Sequence, residues 1–173
     1  MDHFYILIWL LPIVFMIHDF EEIIFMKAWQ EKNRDYLIAK FPFLSKRILP
    51  KSGTFSTSLF SLAVFEEFVL LSIITVTAIV FQYYYIWLAA FMAFSIHLVI
   101  HIIQWVVVRK YIPAIVTSIL LLPYSIYGFI KISGSSYFTN SDIILWTIIG
   151  FALMAVNLIF AHWLADKFQK YIS

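Results

Sequence analysis

Apolar residues run almost unbroken from Phe4 to Ile17, and the stretch they open extends over roughly 4–26. Four further stretches are similarly apolar, at about 57–81, 83–108, 113–130 and 142–165. A helix needs about 20 mostly apolar residues to cross the hydrocarbon core of a bilayer. The pattern therefore predicts an all-α, polytopic membrane helix bundle of five transmembrane helices, forming a single transmembrane domain over 1–173. The leader Met1-Asp2-His3 has no basic region and no small-residue cleavage site follows. The first span thus reads as a permanent helix rather than a cleaved signal.

The basic residues add a direction. Lys27, Lys32, Arg34, Lys40, Lys46, Arg47 and Lys51 lie between spans one and two. Arg109 and Lys110 lie between spans three and four, and Lys167 and Lys170 follow span five. Of the twelve Lys and Arg residues only Lys131 falls on the other side. This is a positive-inside pattern, and it predicts an outside N-terminus and a cytoplasmic C-terminus. Four or six spans would scramble it. Residues 27–56 form the one long connection, with basic residues interleaved with Phe, Leu and Ile. Such a stretch suits the surface of an anionic inner leaflet, or serves only as a positive-inside anchor.

Composition agrees with the pattern and narrows the function. The 173 residues are 63% hydrophobic and 13% charged, where soluble domains are about 45–50% apolar and about 25% charged. A disordered chain, a nucleic-acid-binding domain and an ordinary soluble enzyme are excluded. With no cysteine, disulfides, thiolate ligands and a cysteine nucleophile are excluded as well. The expected setting is multi-pass, in a bacterial cell membrane, with the lipid bilayer and a lipid-like small molecule as partners. Tyr83, Tyr84, Tyr85, Trp87 and Trp105 fit interfacial aromatic belts.

The informative residues are ionisable groups inside spans. Span one carries His18, Asp19, Glu21 and Glu22; span two carries Glu66 and Glu67; span three carries His97 and His101; span five carries Asn157 and His162. At about 1.5 Å per residue, His18 lies roughly 12 Å from the cytoplasmic end of its span, Glu66 and Glu67 roughly 14 Å, and His97 and His101 roughly 16 and 10 Å. They share one layer although the spans alternate in direction. Positions three or four apart share a helix face. His18 therefore groups with Glu21 and Glu22, and His97 with His101. Asp19 is expected to cap or pair locally.

An ionised carboxylate near the bilayer centre costs about 2.5–3.5 kcal/mol on an insertion scale. Glu21, Glu22, Glu66 and Glu67 together would cost on the order of 10 kcal/mol, and no Lys or Arg lies inside a span to offset them. Three remedies exist: protonated carboxyls, protonated histidines paired with them, or a divalent cation bound by both. His and carboxylate ligands suit Zn, Fe or Mn, and inward Glu with Glu-x-x-His pairs builds di-metal sites in soluble four-helix bundles.

The segment His18-Asp19-Phe20-Glu21-Glu22 resembles the signature of the HXXEE-domain family of small integral membrane proteins, which is named for this pentapeptide near the N-terminus. That family also carries a later histidine, for which His97 and His101 are the candidates, and a Tyr-x-Pro-Gly motif. Tyr111-Ile112-Pro113-Ala114 looks like the latter, with Ala114 in place of the glycine. The resemblance implies a membrane enzyme without naming a reaction. On its own terms, Pro113 fits the first position of the helix that follows.

The leading expectation is a membrane-embedded metal-dependent enzyme, hydrolase or oxidase in type, acting on a lipid-like substrate from the cytoplasmic leaflet. Its metal ligands would come from His18, Glu22, Glu66, His97, His101 and His162, with Glu21 and Glu67 as catalytic carboxylates. A metal-free proton-transfer enzyme would use the same groups. A small proton- or ion-coupled transporter would also explain intramembrane Glu and His. The almost wholly apolar outer halves of the spans count against that reading. A purely structural or partner-binding protein does not explain the clustered charges.

Overall fold

A computed structural model describes residues 3–43, 45 and 56–172, with the side chains at positions 3, 162, 165, 166, 169, 170 and 172 outside that description. The chain forms α1 (His3–Lys40), α2 (Thr57–Val80), α3 (Tyr85–Val108), α4 (Ile115–Ser133) and α5 (Asn140–Ile172). All five are long and apolar enough to cross a membrane, and the described residues contain no strand. Helices suit this setting because every backbone polar group inside a bilayer must be satisfied within its own segment.

α1 is longer than the apolar run that opens it. Its 38 residues span about 57 Å at 1.5 Å per residue, against a hydrocarbon core of about 30 Å. Residues 27–40, expected as part of a surface segment, continue the same helix. The rest of that segment at 44 and 46–55, including Lys46, Arg47 and Lys51, lies outside the described residues.

The extension of α1 closes the end of α3. The last carbonyls of a helix have no partner within it. Here the Tyr36 hydroxyl donates to Val108 O at 2.7 Å, and Lys40 Nζ donates to Val107 O and Val108 O at 3.1 and 3.2 Å. A cation at a helix C-terminus also complements the macrodipole. Lys110 Nζ sits 3.7 Å from the centroid of the Tyr36 ring, and Trp29 Nε1 donates to Tyr111 O.

The opposite end of the bundle is an aromatic core. Phe4 of α1 meets Tyr84 and Trp87 edge-on, with ring centroids 5.3 and 5.6 Å apart, and Trp87 stacks on Phe91 at 5.1 Å. Leu7, Ile8 and Leu11 pack against this cluster, and Tyr124 of α4 donates to Leu7 O at 2.9 Å. Trp87 and Tyr84 are buried here, at 0% and 8% exposure, rather than facing an interface as the belt expectation has it. Tyr83 and Trp105 are exposed.

Helix starts follow local chemistry. Ser56 Oγ accepts from Leu59 N at the head of α2. Thr139 and Asp142 form a reciprocal capping box at the head of α5, Asp142 N donating to Thr139 Oγ1 at 3.1 Å and Thr139 N to Asp142 Oδ2 at 2.8 Å. Within lipid no water release drives helices together, so close packing and hydrogen bonds hold the bundle. Among the described glycines the tightest backbone approach is Gly150 of α5 against Ala89 of α3, where an added Cβ would lie 2.8 Å from the Ala89 carbonyl carbon.

Candidate metal centre

α1 and α3 bring three histidines together beyond the aromatic core. His18, His97 and His101 each offer a ring nitrogen, and these ligand atoms all lie within 4.8 Å of one another. His97 Nε2 and His101 Nε2 are 2.9 Å apart. The ring of His18 meets those of His97 and His101 with centroids 5.1 and 5.0 Å away. The i, i+4 spacing of His97 and His101 puts both on one face of α3, and Phe94 packs against the His18 ring at 5.9 Å. His18 is 0% exposed and His101 6%.

The tautomer of His18 follows from its neighbours. Thr117 of α4 lies 3.2 Å from His18 Nδ1, and its hydroxyl donates to Glu21 Oε2 at 2.7 Å. A threonine hydroxyl has one proton. With that proton on the carboxylate, Thr117 Oγ1 accepts from Nδ1–H, and His18 Nε2 keeps its lone pair. That nitrogen is buried and has no hydrogen-bond partner. A carboxylate, a hydroxyl and an imidazole in series are the arrangement that orients a metal-binding histidine.

Glu21 is therefore occupied. Oε1 accepts from the Tyr111 hydroxyl at 2.7 Å and Val116 N at 3.4 Å, and Oε2 accepts from Thr117 N at 2.8 Å as well as the Thr117 hydroxyl. Val116 and Thr117 stand in the first turn of α4, where backbone N–H groups lack partners and the helix dipole favours an anion. Burial, then the hydrogen bond to Glu21 and its charge, push the Tyr111 phenol up, so it remains a donor. The contacts of Glu21, a catalytic candidate from the sequence, also tether α1 to α4.

The turn that presents α4 to Glu21 is Tyr111-Ile112-Pro113-Ala114. Pro113 lies in this turn, two residues ahead of α4 rather than at its first position. Ala114 is left-handed, with φ 74°, and it is 0% exposed. A left-handed L-residue costs roughly 1–2 kcal/mol that glycine avoids. The glycine of the motif that this turn resembles has a conformational reason. Ala114→Gly is expected to stabilise the protein by about 1 kcal/mol, read as a raised thermal midpoint in detergent; an unchanged or lowered midpoint contradicts the strain.

The carboxylates divide into two groups. Glu22 Oε1 lies 3.5 Å from His101 Nε2, and Glu67 of α2 lies within electrostatic range of Glu22 and Asp19. Asp19 is 4% exposed, with Oδ2 lacking a hydrogen-bond partner, so it belongs to this buried set and is more than a local cap. Glu66 is turned to α5, where Asn157 Nδ2 donates to its Oε2 at 3.2 Å. Adjacent residues on a helix differ by about 100° in facing, so Glu66 and Glu67 serve different neighbours. The side chain of His162 lies outside the described residues.

The three histidines suit a metal ion. Nitrogens bound to one ion at about 2.0–2.1 Å sit about 3.0–3.4 Å from each other, close to the 2.9 Å between His97 and His101. All three nitrogens are on rigid helices, and a carboxylate stands beside them.

A family model described as protein of unknown function with HXXEE motif matches residues 9–128, and the chain belongs to that family. The match takes in His18, Glu21 and Glu22, both α3 histidines and the turn at Tyr111–Ala114. Neither the curated proteins nor the solved structures yield a match.

Proposed function

We propose that the protein is a membrane-embedded metal-dependent enzyme, hydrolytic in mode, acting on a lipid-like substrate from the cytoplasmic leaflet. The observation that carries this reading is the convergence of His18, His97 and His101 ligand atoms within 4.8 Å in a buried setting. His18, His97 and His101 would hold a Zn, Fe or Mn ion, which would supply Lewis-acid chemistry for hydrolysis. Glu22, 3.5 Å from His101 Nε2, would serve as the general base beside it. Thr117 and Glu21 hold His18 in its ligand tautomer and are positioning residues. The distribution of Lys and Arg supports an outside N-terminus and a cytoplasmic C-terminus, which puts the histidines in the cytoplasmic half. An apolar substrate reaches such a depth through the bilayer itself.

Full-length protein purified in detergent and desalted is expected to retain stoichiometric Zn, Fe or Mn by elemental analysis. His18→Ala and His101→Ala are expected to lose it. In vesicles, Glu22→Gln is expected to keep the metal and to lower hydrolysis products of added lipid, read by mass spectrometry, by about 10²–10⁴-fold. Metal at background level in the wild type overturns the reading.

One observation favours a second reading. The 2.9 Å contact between His97 Nε2 and His101 Nε2 has the length of a hydrogen bond, so the pair can share a proton without a metal. A metal-free preparation that isomerises a lipid-like substrate, and loses that activity in His97→Ala, would establish it.

A further inference from the structure

At the end of the bundle away from the histidines, the start of α1 and the α2–α3 and α4–α5 turns enclose a cavity of about 310 Å³. Tyr5, Gln82, Tyr84, Tyr85, Tyr137 and Phe138 line it. Tyr5 stands thirteen residues before His18 on α1, about 20 Å along the helix, so the cavity is separate from the histidine site. Its size is at the low end for small-ligand pockets, about 300–1,000 Å³. All the lining residues but Gln82 are aromatic, and none is charged. Packing fixes the rings. Tyr84 meets Tyr137 edge-on at 5.3 Å, and Tyr85 meets Phe138 at 5.5 Å. Phe4 stacks on Tyr137 at 5.2 Å and Trp146 on Tyr85 at 5.6 Å, and neither of these two supports lines the cavity. The Tyr5 and Tyr84 hydroxyls bond to each other at 3.1 Å. Gln82 is held at φ 53°, a left-handed conformation that is costly for a residue with a Cβ. Backbone strain of this kind collects at ligand clamps.

The face of an aromatic ring carries negative potential, so a cluster of rings attracts cations and repels anions. A phosphate or carboxylate would also want a Lys or Arg, and none lines the cavity. Lys131, the basic residue at this end of the bundle, is placed over Tyr127 instead, with Nζ 5.4 Å from the ring centroid. A primary ammonium is strongly hydrated and needs acceptors or a counter-charge when it leaves water. A quaternary ammonium has no N–H to satisfy, and aromatic cages recognise it through ring faces alone. We propose that this cavity binds a quaternary ammonium group of the choline type, carried by a free cation or by a lipid headgroup. Its place at the end of the spans is the level at which headgroups lie. The site is independent of the metal-centre reading above.

Full-length protein in detergent, titrated with choline by calorimetry, gives the test. The wild type is expected to bind choline and to ignore its uncharged isostere, in which carbon replaces the nitrogen. Tyr137→Leu is expected to weaken choline binding by about tenfold or more, while Tyr137→Phe, which keeps the ring, stays near the wild type. Tyr137 is 48% exposed, so the fold tolerates its loss; Tyr85→Leu serves as the second variant. Native mass spectrometry from nanodiscs of mixed phosphatidylcholine and phosphatidylglycerol separates the two sources. Retained phosphatidylcholine that Tyr137→Leu loses supports a lipid headgroup. Choline binding without such retention supports a free cation. No choline binding and no retained phosphatidylcholine overturns the site. Equal binding of choline and its isostere overturns the cation preference, and wild-type affinity in both leucine variants overturns the location.

Discussion

Glu21→Ala is expected to lower the stability of the protein by about 3–5 kcal/mol, a large effect for one surface-distant carboxylate. The substitution strips four donors of their acceptor: Val116 N, Thr117 N, the Thr117 hydroxyl and the Tyr111 hydroxyl. A buried donor left unsatisfied costs about 1–3 kcal/mol. Two of the four have some relief. Thr117 Oγ1 lies 3.2 Å from Ala114 O, and Tyr111 is 41% exposed. The two backbone N–H groups at the head of α4 have no comparable alternative. Tyr111→Phe removes a single partner and is expected to cost only about 1 kcal/mol. The two variants are compared by thermal unfolding in one detergent. The tether also sets the His18 tautomer, so metal affinity in Glu21→Gln is expected to fall by about 10–100-fold even where the fold survives. A Glu21→Ala midpoint equal to that of the wild type contradicts the tether.

Gly150→Ala is expected to destabilise by about 3 kcal/mol, at the upper end of the range for overpacking. The obstacle to the new methyl is the backbone of Ala89, with its carbonyl carbon 2.8 Å from the added Cβ. A backbone on a packed helix cannot turn aside, so α3 and α5 must separate along their contact. Gly128→Ala is the internal comparison. Its Cβ meets the ring of Phe91 at 2.6 Å, and a side chain can shift. A loss of about 1–2 kcal/mol is expected there. The order of the two unfolding midpoints is the measurement, and the reverse order would show that the α3–α5 backbone contact is not limiting.

What the sequence disclosed, and what it withheld, divides by physical origin. The five apolar runs are legible because crossing the bilayer requires length and apolarity alone. The pairing of His18 with His97 and His101 is legible because i, i+3 and i, i+4 spacing fixes a face and the depths match. The charged extension of α1 is not, since residues 27–40 lose their apolar signal where the helix leaves the core; Tyr36 and Lys40 continue the helix by bonding to α3, a tertiary cause. Glu66 and Glu67 are adjacent, so the face each presents depends on how packing rotates α2. Asp19 reads as a local cap because nothing along the chain reports its burial. Thr117 is visible only as a polar residue in an apolar span, yet it links Glu21 to His18. Trp87 reads as a belt residue because an aromatic near a span end looks the same whether it faces lipid or protein.

α1 and α3 are fastened to each other on both sides of the histidines: by the Phe4, Tyr84 and Trp87 rings at one end, and by Tyr36 and Lys40 on the α3 carbonyls at the other. The imidazoles thus sit mid-span on two helices joined to each other at both ends. Their ring nitrogens are already gathered, so little conformational entropy would be lost if an ion bound there. The ordering is done when the chain folds. A cation bound by these histidines would meet ligand atoms already within 4.8 Å of one another.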